Sequence, residues 1–354
     1  MIDMNENRPF CPECEHDVVP AEALDRRDFM RTIGQTTSLL AVGAAGTSLA
    51  RADETPARPN NAPRAKPAEA LIQELYGSMS DEQKRTLVLP WNDRARKRMF
   101  NSAINQRIGQ AYTRPQQELV ERILRSISAG DAGFRQMTRG GTFDGSGSFQ
   151  NCGANIFGDP TNGQRYAWVF SGHHLTVRCD GNSEPNAAFG GPIYYGHSPD
   201  GYSPRNIFYY QTRNVLNVFD ALTEAQRRQA VVVGNPGEHE PSVQFRAEGQ
   251  AHPGIAASEL TADQRRLIET VMRDILSPFR RADADEVMDI VRRNGGVERI
   301  HLAFYQDRRV RDQNRWHFWR LEGPGFVWNY RVLPHVHTYV NIAARERRPA
   351  PAQG

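Results

Sequence analysis

The chain has 354 residues, with 44 Lys and Arg against 41 Asp and Glu, and 39% of it is apolar. This balance carries no nucleic-acid footprint, because the arginines are dispersed and neither a basic helix nor an aromatic-interleaved RNA motif occurs. The surplus of positive charge favours solubility and a weak attraction to acidic surfaces, and nothing stronger.

In chain order, a targeting signal comes first. Asp25-Arg26-Arg27-Asp28-Phe29-Met30-Arg31 leads into a weakly apolar run from Thr32 to Ala50, closed by Ala50-Arg51-Ala52. Small residues at that spacing are what a signal peptidase reads. The run is too short and too rich in Gly, Ser, Thr and Gln for a membrane anchor. Residues 1–52 are therefore expected to be a twin-arginine signal peptide, read by the twin-arginine export machinery. The mature protein would be periplasmic or extracellular, with no stable membrane anchor after cleavage. Cys11-Pro12-Glu13-Cys14 resembles half a zinc knuckle, but no second CxxC completes it.

Residues 53–67, with four prolines and no apolar run, read as a disordered spacer, and 345–354 as a disordered tail. Between them, 68–344 has no internal linker and is expected to form a single globular domain. Ser80-Asp81-Glu82-Gln83, Thr113-Arg114-Pro115-Gln116, Thr223-Glu224-Ala225-Gln226 and Thr261-Ala262-Asp263-Gln264 all carry the capping-box pattern, followed by apolar residues at helical spacing. The irregular intervals between these caps argue for good helix design rather than a solenoid repeat. Strands are expected over Arg165–Cys179 and in a late run: Ile300–Tyr305, Trp316–Leu321, Phe326–Val332 and His335–Ile342. The pattern predicts an α+β fold, with an antiparallel sheet built largely from the C-terminal half and packed with several capped helices.

The mature chain keeps two cysteines, Cys152 and Cys179. In an oxidising compartment they most simply form one disulfide, the alternative being two separate buried thiols.

Histidines supply the candidate chemistry. His335 and His337 lie at i and i+2 and would share a face of a strand, where both imidazoles can meet one metal ion. On a strand His173 and His174 would point to opposite faces, so only one could join that ion unless Gly172 marks a bulge. Three imidazoles with a vacant fourth position suit catalysis or small-ligand binding by zinc, copper or iron. His197 and the turn Gly237-Glu238-His239-Glu240, Glu240 above all, could add a further ligand or a supporting group, and Asn329 and Tyr339 could contact substrate. The alternative is that the histidines satisfy buried carbonyls. Gly145-Ser146-Gly147-Ser148 lacks the Lys-Ser/Thr ending of a P-loop, and no nucleophile elbow stands between a strand and a helix. The aromatic run Trp316, Phe318, Trp319, Phe326, Trp328, Tyr330 reads as core by alternation, although part of it could line a glycan cleft.

Phe170-Ser171-Gly172-His173-His174-Leu175 and His335-Val336-His337-Thr338, with Leu89-Pro90-Trp91-Asn92-Asp93, Gly254-Ile255 and Gly323-Pro324, resemble the domain-of-unknown-function 3500 family of secreted bacterial proteins over about residues 70–342. The resemblance implies that His173, His174, His335 and His337 form one constellation. It also implies acidic residues near Asn329 and near Gln211-Thr212, which this chain lacks. The expectation is an exported protein with a histidine-rich metal site, either a metal-dependent enzyme or a non-catalytic module for a small-molecule, glycan or protein ligand.

Overall fold

A computed structural model describes residues 67–239, 242–247, 249–307 and 315–344. The expected signal peptide, nearly all of the spacer, Glu240 and the tail lie outside these residues; Pro67, at the end of the expected spacer, already begins a helix.

The chain repeats one plan twice. The first half runs α1 (Pro67–Ser78), α2 (Asp81–Leu87), β1 (Val88–Leu89), α3 (Ile108–Ala111), α4 (Arg114–Ser126), α5 (Gly130–Met137), β2 (Gly153–Gly158), β3 (Tyr166–Gly172), β4 (Leu175–Cys179) and β5 (Ile193–Tyr195). The second runs α6 (Tyr209–Ala221), α7 (Glu224–Ala230), β6 (Val231–Val233), β7 (Ile255–Ala256), α8 (Ala262–Leu276), α9 (Arg281–Arg293), β8 (His301–Gln306), β9 (Phe318–Gly323), β10 (Phe326–Arg331) and β11 (His337–Ile342), with β7 in the place of α3. The sheet order β1-β2-β3-β4-β5-β11-β10-β9-β8-β6 reads alike from either edge, and β5 and β11 pair antiparallel at its middle.

The four capping boxes form as expected, and they show the same repetition. Gln83 and Gln116 exchange side-chain hydrogen bonds of 2.7 and 3.1 Å, and Gln226 and Gln264 do the same at 3.2 and 2.8 Å. Each glutamine thus caps its own helix and ties it to the neighbouring cap. The intervals that look irregular between adjacent caps become regular across the halves, with 143 residues from Ser80 to Thr223 and 148 from Thr113 to Thr261. Trp168-x3-Gly172-x2-Leu175 and Trp319-x3-Gly323-x2-Phe326 repeat likewise, each around a two-residue turn.

The fold is α+β, but the sheet is mixed. β1 pairs parallel with β2, and β6 parallel with β8. Both parallel edges follow from long helical crossovers, which a parallel pair requires; the late strands read alone showed only the meander. Strands β2 to β5 also give the N-terminal half an equal share of the sheet. Helices cover one face, where Trp168, Phe170, Trp319, Trp328 and Tyr330 join Ile72, Leu124, Ile268 and Val291 in the main core. On the opposite face Trp91 and Ile104 pack on Phe157 and Val169, and Met99 packs on the cluster of Val243, Val327 and Tyr339. No described helix is long and apolar enough to cross a membrane.

The expected disulfide does not form: Cys152 and Cys179 are separate buried thiols. Register keeps them apart. Gly153 of β2 faces Ser171 and Cys179 of β4 faces Trp168, so the two cysteines flank β3 from opposite sides at opposite ends. At about 3.3 Å per residue they are offset by more than 10 Å along the sheet, beyond the roughly 7 Å that a disulfide spans between Cα atoms. Burial pushes both thiols up to about 12. Alkylation without reductant should therefore modify neither cysteine in native protein and both in denaturant, as read by mass spectrometry; protection of both in denaturant would restore the disulfide.

Candidate metal centre

Sheet register builds the site. Arg331 of β10 faces His337 of β11, and Tyr195 of β5 is faced by Thr338 on one side and Leu175 on the other. One step along, His337 and His174 therefore flank Gly196, whose N–H donates to the His174 carbonyl at 3.0 Å. No side chain at Gly196 separates the two imidazoles, and a Cβ there would lie 1.9 Å from the Val336 carbonyl oxygen. His335 stands in the bend before β11 rather than in the expected strand, with its ring centroid 4.6 Å from that of His337.

His173 and His174 depart from the strand expectation. They are the two-residue turn between β3 and β4, with their rings 3.8 Å apart. His174 has φ 54°, in the left-handed region, where its counterpart in the second half is Gly325 at φ 75°. A β-carbon is strained in that region by about 1–3 kcal/mol. Arg139, Phe143 and Asp144 also have positive φ, as do Asn162, Asn182, Asn186 and Phe189 elsewhere in the first half.

Three ring nitrogens converge. His335 Nε2 lies 2.8 Å from His337 Nε2 and 3.1 Å from His174 Nε2. His174 and His335 are fully buried, and His337 nearly so. Outer partners orient two of the rings. His174 Nδ1 meets Asp144 Oδ2 at 2.6 Å, and His337 Nδ1 meets Glu238 Oε1 at 3.2 Å. Each carboxylate holds the proton on Nδ1 and turns the Nε2 lone pair inward. Arg331 donates from Nη2 to His337 Nε2 at 2.7 Å and to His335 Nε2 at 3.3 Å, while its Nη1 pairs with Glu238 at 2.7 Å. Ligand nitrogens around a tetrahedral ion with bonds of 2.0–2.1 Å stand roughly 3.3 Å apart, close to the spacing found here. These buried His and Asp groups could hold a metal ion.

Asp144 gathers a second set of groups. It stands in the 3₁₀ turn Asp144–Ser146, with Arg139 paired to its other oxygen. Besides His174, its Oδ2 lies 3.4 Å from His173 Nδ1 and 3.5 Å from His197 Nδ1. The His197 ring stacks on Phe208 and bonds the Gln136 carbonyl through Nε2 at 2.8 Å.

The four histidines of the expected constellation thus come together, with His173 facing Asp144 rather than the Nε2 cluster. His197 joins them through Asp144. Asn329 and Tyr339 share one row of the same sheet face but are engaged elsewhere, Asn329 with Arg320 at 2.8 Å and Tyr339 with the Val243 carbonyl at 3.4 Å. Glu240 lies outside the described residues, while its neighbour Glu238 braces the site. Asp144 and Arg331 escape the sequence reading. Asp144 is hidden beside a glycine-rich stretch with no ligand-binding motif, and Arg331 is one of many dispersed arginines.

Burial holds His197 below the usual histidine value, with Asp144 opposing in part; burial, Arg331 and the neighbouring imidazoles hold His337 well below it. Their folded forms resist protonation while the unfolded chain takes up protons near pH 6.5. The resulting stability is fully present above that pH and is lost as pH falls below it, by up to about 1.4 kcal/mol per pH unit for each group. Denaturant midpoints of metal-free protein should drop between pH 7 and 5; a flat profile would remove the neutral buried imidazoles.

Neither a curated protein nor a solved structure matches the chain. The model of one family, described as "Protein of unknown function (DUF3500)", matches residues 62–345, a span holding every group placed at the site above, and it is to this family that the chain belongs.

Proposed function

We propose that the chain is an exported protein that holds a divalent transition-metal ion through His174, His335 and His337. The observation that carries this reading is the convergence of three buried Nε2 atoms at 2.8–3.1 Å from His335, two of their rings braced from behind by carboxylates. Neutral imidazoles suit zinc, copper or iron. Three protein ligands leave a fourth position, at which an ion can polarise or activate a small molecule, and this favours a metal-dependent enzyme. An ion would take over the lone pairs that accept from Arg331. The guanidinium, kept in place by Glu238, would then favour an anionic group at the fourth position. A module gripping a glycan or protein through the late aromatics has less support, since Trp316, Phe318, Trp319, Phe326 and Trp328 are at most 2% exposed.

Protein purified from its exporting host should carry near-stoichiometric metal by elemental analysis, and His335→Ala/His337→Ala should lose it. His174→Gly should lose it too while keeping the wild-type circular dichroism spectrum, because glycine accepts the positive φ of the turn. Metal content below a tenth of an equivalent in wild type, or equal in all three proteins, would overturn the site.

Export is supported by Arg26-Arg27 ahead of a stretch rich in small residues. Arg26→Lys/Arg27→Lys should leave the precursor uncleaved in the cytoplasm, and unchanged processing on cell fractionation would remove export from the reading.

A further inference from the structure

The two nitrogens of His174 serve different neighbourhoods. Nε2 faces His335, and Nδ1 faces Asp144, beside which stands the Nδ1 of His173. Each set forms a compact group of metal-binding atoms within 4.8 Å of one another, and His174 belongs to both. We propose that a second metal ion binds between Asp144, His173 and His174, bridged to the first through the His174 ring. The bridge rests on the ion proposed above; the second position does not.

The polar contacts around Asp144 suit a cation better than a network of hydrogen bonds. His173 Nδ1 accepts the Gly145 N–H at 3.1 Å, so it carries no proton to give to Asp144. His197 directs Nε2 to the Gln136 carbonyl, which leaves its buried Nδ1 without a hydrogen on the side of Asp144, and that atom makes no hydrogen bond. Two acceptor nitrogens therefore stand against one carboxylate oxygen, an arrangement that a positive ion relieves. Their separations of 3.4 and 3.5 Å from Asp144 Oδ2 are already near a ligand–ligand edge. The 2.6 Å contact of His174 must open by roughly 0.7 Å to reach that edge.

The other half of the molecule ties the corresponding turn through a neutral amide. There the turn residues are Pro324 and Gly325, and Asn294, just after α9, donates to the carbonyls of Pro324 at 2.7 Å and Ala343 at 3.0 Å. A neutral amide thus suffices to tie this turn to the helical layer and to the end of the central strand. The carboxylate and imidazoles of the first half exceed what the fold needs.

Binding of the second ion replaces one proton. The Nδ1–H of His174 leaves to solvent, and the ring becomes an imidazolate bonded to an ion at each nitrogen. Two imidazoles, one of them half-buried, and a buried carboxylate, with His197 alongside, suit zinc.

Mature protein stripped with chelator and titrated with Co2+ should take up two equivalents. His173→Ala should take up one, His335→Ala/His337→Ala one, and His174→Gly none. Should the alanine at 173 fail to fold, His173→Phe keeps a ring on His174 without nitrogens and carries the same expectation. A single equivalent in wild type, unchanged in the His173 variants, overturns the second ion. A single equivalent lost in the His173 variants but kept in His335→Ala/His337→Ala upholds it and overturns the first. With Cu2+ at both positions, an imidazolate bridge couples the unpaired electrons, so the low-temperature electron paramagnetic resonance signal should integrate well below two spins. A full two-spin signal overturns the bridge.

Discussion

The antiparallel pairing of β5 with β11 joins the two halves, and the site depends on its register. Thr338 opposite Tyr195 sets His337 beside Gly196 and hence beside His174. A slip of one residue would turn His337 to the opposite face, into the helix-packed core. The seam is held by more than its ladder. Tyr195 donates to the Ile275 carbonyl at 2.6 Å, and Tyr330 and Thr212 share a hydrogen bond of 2.8 Å, so helices from the second half grip the middle of the sheet from behind. The histidines can afford no freedom in backbone position, and this packing removes it.

Much of this was legible locally. Capping boxes depend on four consecutive residues, and all four formed. The i, i+2 spacing of His335 and His337 brings their rings together, although His335 stands in a bend before β11 rather than in the strand. Failures came where a distant partner decides. Cys152 and Cys179 invite pairing by compartment and number, yet each is placed by a different edge of β3. His173-His174 continues a clean strand pattern and carries no turn signal, because histidine is not a turn former; Gly325, at the same place in the second half, carries the turn signal openly. The duplication is invisible in the intervals between neighbouring caps and shows only between the halves. Parallel edges at β1 and β6 are two and three residues long and have no periodicity to read.

Four strained residues, Arg139, Phe143, Asp144 and His174, lie in or against the cluster, and all four belong to the first half. Glycine would satisfy such positions with less strain, as it does at Gly325. Retaining side chains there sacrifices stability for chemical groups, a pattern expected at functional sites rather than in scaffolding. The second half, free of that demand, closes the same corner with Asn294 and backbone carbonyls.

The two thiols have one further consequence. Since Cys152 and Cys179 stay reduced, buried and far apart, no step in completing this domain waits for an oxidant. The described fold can be finished in the reducing interior where the chain is synthesised, with every imidazole in position there. Under the proposed export, the ion would then be chosen by the metal supply of that compartment rather than by the one of destination.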